Sequence, residues 1–300
     1  MCMYFPTFAN KKSLRKSGVN EPVQMAAIMM LFILGVVMFP TRKIVGWFYS
    51  GDDEFVFLLA DGIQRLIFSA VMFKFIADFG FNVIPEKMRV AGFFAVLPAV
   101  IIAINNFPFV SFLSGNCSVT ETPGNIAIFA VWCLGVGLFE EVSFRGVVLP
   151  LIYVKLRESN LTVFGKKKPV FLTVAISSAI FALTHLVNLL NGFNPAVFLQ
   201  VGYTFLIGSM CGIVFVKTGN ILFPSAMHFI YNFGGMLVEK CGVGTIWTTE
   251  QIICTAVVGV IVGAYLVYVV LFTADKDCDV LEYAINADDI ESWKTKQNAE

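Results

Sequence analysis

The chain has 300 residues, 57% of them apolar and only 14% charged, with 21 basic and 21 acidic side chains and no net charge. A soluble domain carries about 25% charged residues, so that class is excluded, and a zero net charge implies no general attraction to nucleic acid. Seven scattered cysteines (2, 117, 133, 211, 241, 254 and 278) contain no CxxC pair, which argues against a disulfide framework and against a thiolate zinc site.

Residues 1–21 form a basic N-terminus carrying Lys11, Lys12, Arg15 and Lys16. The apolar run that follows, from Val23 to Phe39, is long for a signal peptide, and no small-x-small cleavage site follows it. It reads as a retained first span. Apolar blocks of about 17–25 residues, the length of helix that crosses a bilayer, recur along the chain. Eight spans are expected, near 22–40, 55–78, 90–106, 125–156, 169–190, 196–216, 220–238 and 252–273. The expected class is therefore all-α, a polytopic membrane protein with about eight transmembrane helices. Residues 22–124 hold spans 1–3, residues 125–238 the core of spans 4–7, residues 239–273 a loop and span 8, and residues 274–300 an acidic tail expected as a surface helix or disorder.

The loops alternate in charge. Lys87 and Arg89 follow span 2, Lys155, Arg157, Lys166, Lys167 and Lys168 follow span 4, and Lys217 follows span 6. Residues 107–124 contain no Lys or Arg and residues 191–195 no charge at all. The positive-inside rule then places both termini in the cytoplasm, consistent with an even number of spans.

Span 2 carries Asp61 and Arg65, and Lys74 and Asp78; each set is four residues apart and reads as a self-neutralising or snorkelling pair. Span 4 is the anomaly. Glu140, Glu141 and Arg145 fall in the middle of an apolar run, where three unpaired charges would cost about 8–10 kcal/mol. Glu141 and Arg145 are four apart and share a helix face, so they can neutralise one another. Glu140 is rotated away from both and is left for chemistry.

The chain's two histidines both fall inside spans: His185 in Phe-Ala-Leu-Thr-His on span 5, and His228 on span 7 with Asn232 one turn beyond it on the same face. At 1.5 Å per residue, Glu140 and His185 lie roughly 20–25 Å from their cytoplasmic helix ends, and His228 with Asn232 about 12–18 Å. One shared site within the membrane is geometrically allowed, and intramembrane ionisable groups default to function. GxxxG spacings at Gly208/Gly212 and Gly259/Gly263 suit close helix packing.

At these residues the sequence resembles the CAAX protease and bacteriocin-processing (CPBP) family of intramembrane proteases, whose relatives include the Ras-converting CAAX endopeptidase. Glu140, Glu141 and Arg145 match its EExxxR motif, Phe181 and His185 its FxxxH motif, and His228 and Asn232 its last motif, HxxxN. Phe205, Gly208 and Gly212 fit the family's glycine-bearing helix, and Thr218-Gly219-Asn220 the short turn before the last motif. The resemblance covers about residues 125–235.

The resemblance implies an endopeptidase sunk in a membrane, expected to be a bacterial plasma membrane, that cuts a membrane-associated peptide or lipidated protein. Glu140, helped by His185, would activate water. His228 and Asn232 would stabilise the oxyanion, and Glu141 with Arg145 would hold the position of Glu140. Glu140, His185 and His228 would also make a three-ligand set for zinc, although no HExxH helix requires one. A proton- or cation-coupled carrier is the alternative from another class; it calls for inverted repeats, whereas the polar cluster lies in the second half only. An inactive scaffold is the third reading, disfavoured by the intact motif residues.

Overall fold

The computed structural model describes residues 22–84, 90–157, 167–273, 281, 282, 284 and 285. The basic N-terminus, Lys87, Arg89, Lys166 and most of the acidic tail lie outside these residues. The protein is all-α in architecture apart from one two-stranded ladder. In chain order the elements are α1 (Pro22–Val37), α2 (Thr41–Val45), α3 (Glu54–Phe79), α4 (Val90–Asn105), α5 (Phe109–Leu113), β1 (Cys117–Val119), α6 (Pro123–Ser143), a π-helical turn (Phe144–Val148) and α7 (Leu149–Arg157). They continue with α8 (Lys167–Thr184), a 3-10 segment (His185–Asn191), α9 (Ala196–Thr218), α10 (Leu222–Cys241), β2 (Gly242–Gly244) and α11 (Thr249–Phe272).

Local chemistry sets the ends of the long helices. The Asp53 carboxylate accepts from Phe55 N at 2.9 Å to cap α3, which ends at Gly80 with φ 75°. Thr122 caps α6 with Pro123 at its first position, where the missing N–H costs no helical bond. Gly219 ends α9 at φ 66°, a conformation glycine adopts without a Cβ penalty.

Among the described residues, five helices are long and apolar enough to cross a membrane: Glu54–Phe79, Pro123–Leu156, Lys168–Leu190, Ala196–Thr218 and Thr249–Val269. The protein is thus a polytopic membrane protein. Pro22–Val37 and Val96–Asn105 are apolar but shorter. Helix α10 has 20 residues, and its polar positions, His228 and Asn232 among them, dilute its hydropathy. Eight helices correspond to the eight expected spans, and five of them meet the requirements of length and composition.

Helix α6 is the central post, packed most extensively against α3 and α10. Glycine makes both approaches possible. A Cβ on Gly135 would lie 2.5 Å from Gly62 O on α3, and one on Gly137 would lie 3.0 Å from Phe229 N on α10. The Gly208/Gly212 stripe packs likewise: a Cβ on Gly208 would meet Arg145 Nη2 at 2.9 Å, and one on Gly212 would meet Val174 Cγ1 at 2.8 Å. Gly259 and Gly263 face nothing within 4 Å.

Asp61 and Arg65 pair at 3.6 Å, and Trp132 Nε1 donates to Asp61 Oδ2 at 2.8 Å, so the two helices share the burden of that half-buried carboxylate. Lys74 and Asp78 pair at 2.9 Å on the surface.

Two features differ from a reading of uninterrupted spans and a free tail. The Pro123–Leu156 rod is broken by the π turn, where Leu149 N bonds back to Phe144 O and Ser177 Oγ donates to the same carbonyl at 3.2 Å. In the tail, Leu281, Ala284 and Ile285 are buried in the main core, and Asn82 N donates to Ala284 O at 2.8 Å. These tail residues carry the apolar side chains within an otherwise acidic stretch, and burial follows them.

Candidate active site

The last two turns of α6 carry Glu140 and Glu141 to the centre of the bundle, and the π turn carries Arg145. Arg145 and Glu141 have side chains 0% exposed and pair at 2.9 Å, Nη1 to Oε1. The guanidinium also donates through Nη2 to Gly208 O at 2.8 Å, which is why α9 presents a glycine there. Its carbon lies 4.7 Å from the centroid of the Phe181 ring, a cation–π contact on its remaining face. This arrangement answers the anomaly in the sequence: Arg145 offsets one acid and is itself held by a carbonyl and a ring.

His228 comes from α10, on the neighbouring face of α6. Its Nδ1 is 2.8 Å from Glu141 Oε1, and its Nε2 is 3.4 Å from Glu140 Oε2. One imidazole thus lies between the two adjacent acids, with a carboxylate at each ring nitrogen. Glu141 serves Arg145 and His228 through the same oxygen, while its Oε2 is buried and accepts no N–H or O–H hydrogen bond among the described residues. Glu140 is the more accessible acid, with 16% of its side chain exposed.

His185 lies where α8 gives way to the 3-10 segment. Its Nδ1 is 3.2 Å from Phe181 O one turn back. Among the described residues, no hydrogen bond or ion pair joins it to Glu140. It is linked to the cluster through Phe181, whose ring centroid is 5.2 Å from His185 and 6.0 Å from His228, edge-on to both. Asn232, one turn beyond His228, is half-buried and makes no side-chain hydrogen bond among the described residues.

The structure therefore brings Glu140, Glu141, Arg145 and His228 into direct contact and leaves His185 and Asn232 at the margin with uncommitted polar atoms. The zinc set read from sequence, Glu140, His185 and His228, does not converge. Among the described residues, the donors that come within 4.8 Å of one another are Glu141, Cys211 and His228. Cys211 is the residue that sequence reasoning missed: it lies inside an apolar run of α9, between Gly208 and Gly212, and is not itself a motif position. Its only sequence signal is its place three residues after Gly208, on the helix face that meets Arg145.

Residues 122–234 match the family model described as type II CAAX prenyl endopeptidase Rce1-like. The match spans the four motif segments and bears out the resemblance they carry, and it supports a CAAX-type intramembrane endopeptidase as the general class. No curated protein and no solved structure matches the chain.

Proposed function

We propose, for a chain whose residues 122–234 belong to the Rce1-like type II CAAX prenyl endopeptidase family, that it hydrolyses a peptide bond in a membrane-inserted or lipidated peptide, with Glu140 as the general base. The observation that carries this reading is His228 between the two carboxylates, 2.8 Å from Glu141 and 3.4 Å from Glu140. Glu141 is committed to Arg145 and His228, whereas Glu140 is partly open and, among the described residues, pairs with the imidazole.

In this reading Glu140 takes a proton from water as the oxygen attacks the scissile carbonyl, and later passes it to the leaving amine. Because a carboxylate faces each ring nitrogen of His228, a ring carrying both protons has an acceptor on each side. It can turn its Nε2–H from Glu140 to the oxyanion as negative charge develops there. The free amide of Asn232 supplies a second donor from the same helix face. His185, with Nδ1 turned to Phe181 O, presents its Nε2 to orient the water. Low local dielectric strengthens each of these contacts relative to water. Zinc at Glu140, His185 and His228 is the alternative to this reading, and the steps above need only the chain's own residues.

We further propose that all eight helices cross the membrane, that both termini face the cytoplasm, and that the membrane is a bacterial plasma membrane. The basic loops support this orientation.

The test uses purified protein in nanodiscs with a lipidated peptide carrying a CAAX-like end. Glu140→Gln and His185→Ala should each abolish cleavage while the protein stays folded, and cleavage by the parent should survive a strong chelator. Normal cleavage by both variants would sink the assignment.

A further inference from the structure

The second half of the site contains three metal-ligating groups that the proteolytic reading does not use together. Glu141, Cys211 and His228 are all buried, and their ligand atoms lie within 4.8 Å of one another. A thiol, an imidazole and a carboxylate form the donor mix that suits a borderline-soft dication such as zinc.

A second observation points the same way. Glu141 Oε2 is buried and accepts no N–H or O–H hydrogen bond among the described residues, the Cys211 thiol being the remaining polar group that meets this carboxylate. A buried carboxylate oxygen left unsatisfied costs free energy, and here it belongs to the group that already meets His228. A cation on Oε2 would leave the Arg145 pair on Oε1 in place.

We propose that Glu141, Cys211 and His228 form a binding site for a zinc-class divalent cation, and that occupancy inhibits the enzyme. In the bound state the Cys211 thiol gives up its proton to bulk water, and thiolate and Glu141 together face the dication, while Arg145 keeps its pair on Glu141 Oε1. His228 ligates through Nδ1, so the proton this nitrogen shares with Glu141 leaves to bulk water, and the ring keeps its other proton on Nε2. That nitrogen faces Glu140 Oε2 at 3.4 Å. A metal-bound histidine characteristically donates its other N–H to a carboxylate, and Glu140 stands in that position. The cation therefore fixes the imidazole with its Nε2–H on Glu140, so that the ring can no longer turn this donor to the oxyanion. Entry runs past Glu140, the one partly exposed member of the cluster.

Binding rests on the cluster alone; only its inhibitory consequence rests on the reading of Glu140 as base. The experiment keeps the two apart. Cobalt(II) is titrated into the full chain in nanodiscs, and thiolate-to-cobalt charge-transfer absorption is recorded alongside zinc inhibition of cleavage. The expected result is a saturable charge-transfer band at one cobalt per chain, competed away by zinc, absent in Cys211→Ser and retained in Glu140→Gln. The zinc concentration that halves cleavage should rise at least tenfold in Cys211→Ser relative to that variant's own metal-free rate. If Cys211→Ser fails to fold, Cys211→Ala, which removes the thiol without burying a hydroxyl, gives the same information. No charge-transfer band, or a band that survives loss of Cys211, overturns the site. A normal band with zinc-stimulated cleavage overturns the inhibitory role and, with it, the metal-free mechanism.

Discussion

His228 Nδ1 lies 2.8 Å from Glu141 Oε1, a contact that joins residues 87 positions apart across two helices. It gives Glu141 two partners, since Arg145 Nη1 is 2.9 Å from the same oxygen. The second acid of the Glu-Glu pair is therefore more than a local counter-ion for Arg145. It also fixes the ring of His228 and so determines which nitrogen faces Glu140.

Truncating one member of this buried pair should cost stability as well as activity. Glu141→Ala and Arg145→Met each leave an uncompensated charge among side chains 0% exposed, a loss of about 3–5 kcal/mol. The double variant should lose less than the sum of the two, because the orphaned charge is gone. Thermal unfolding in detergent, run as a full cycle, measures the difference; additive losses would show that the pair is not coupled.

Glu140→Gln preserves shape and removes the base. Cleavage should fall by about 10²–10⁴-fold with the melting temperature near that of the parent, because among the described residues no ion pair other than that with His228 holds Glu140. His185→Ala should behave alike, since its bond to Phe181 O is local to one helix turn. A melting temperature that falls with activity in both variants would indicate a structural role instead.

Asn232→Ala removes an amide with no side-chain hydrogen bond among the described residues. The loss should appear in kcat, by roughly 10²–10³-fold, with KM little changed, as for a donor used only in the transition state. Steady-state kinetics on a fixed lipidated peptide separates this from a substrate-binding role, which would raise KM.

The contact between α6 and α10 depends on Gly137. Its Cβ position lies 3.0 Å from Phe229 N, so Gly137→Val must push α10 away and carry His228 from Glu141. Overpacking of this kind costs about 1–3 kcal/mol, and cleavage should fall further than stability alone explains. Gly259→Val, with nothing within 4 Å, should leave melting temperature and rate close to the parent. Equal effects at the two positions would contradict this assignment of contacts.

Much of the fold was legible in the sequence because the bilayer imposes a simple rule: backbone polar groups must be satisfied within a helix. The apolar blocks accordingly correspond to helices. The π turn at Phe144–Val148 was not legible, because no residue type marks it. It is supported from another helix, by Ser177 Oγ on the Phe144 carbonyl. The ladder between β1 and β2, with Cys117 opposite Gly244 and Val119 opposite Gly242, was hidden for a similar reason. Three-residue strands carry too little pattern to register, and their pairing is decided by where α10 ends.

Two relationships in the site follow from the sequence by itself. Glu141 and Arg145 share a face, as do His228 and Asn232, because a four-residue spacing within one helix needs no knowledge of any other. Composition likewise indicated a membrane protein. Only the tertiary structure decided which acid meets which histidine, that His185 bonds back to Phe181 and makes no direct bond to Glu140, and that Cys211 joins the cluster. Periodicity assigns a side chain to a face of its own helix. The rotation and distance of one helix against another come from close-packed contacts, here Gly62 with Gly135 and Gly137 with the backbone of Phe229, which no single stretch of sequence contains.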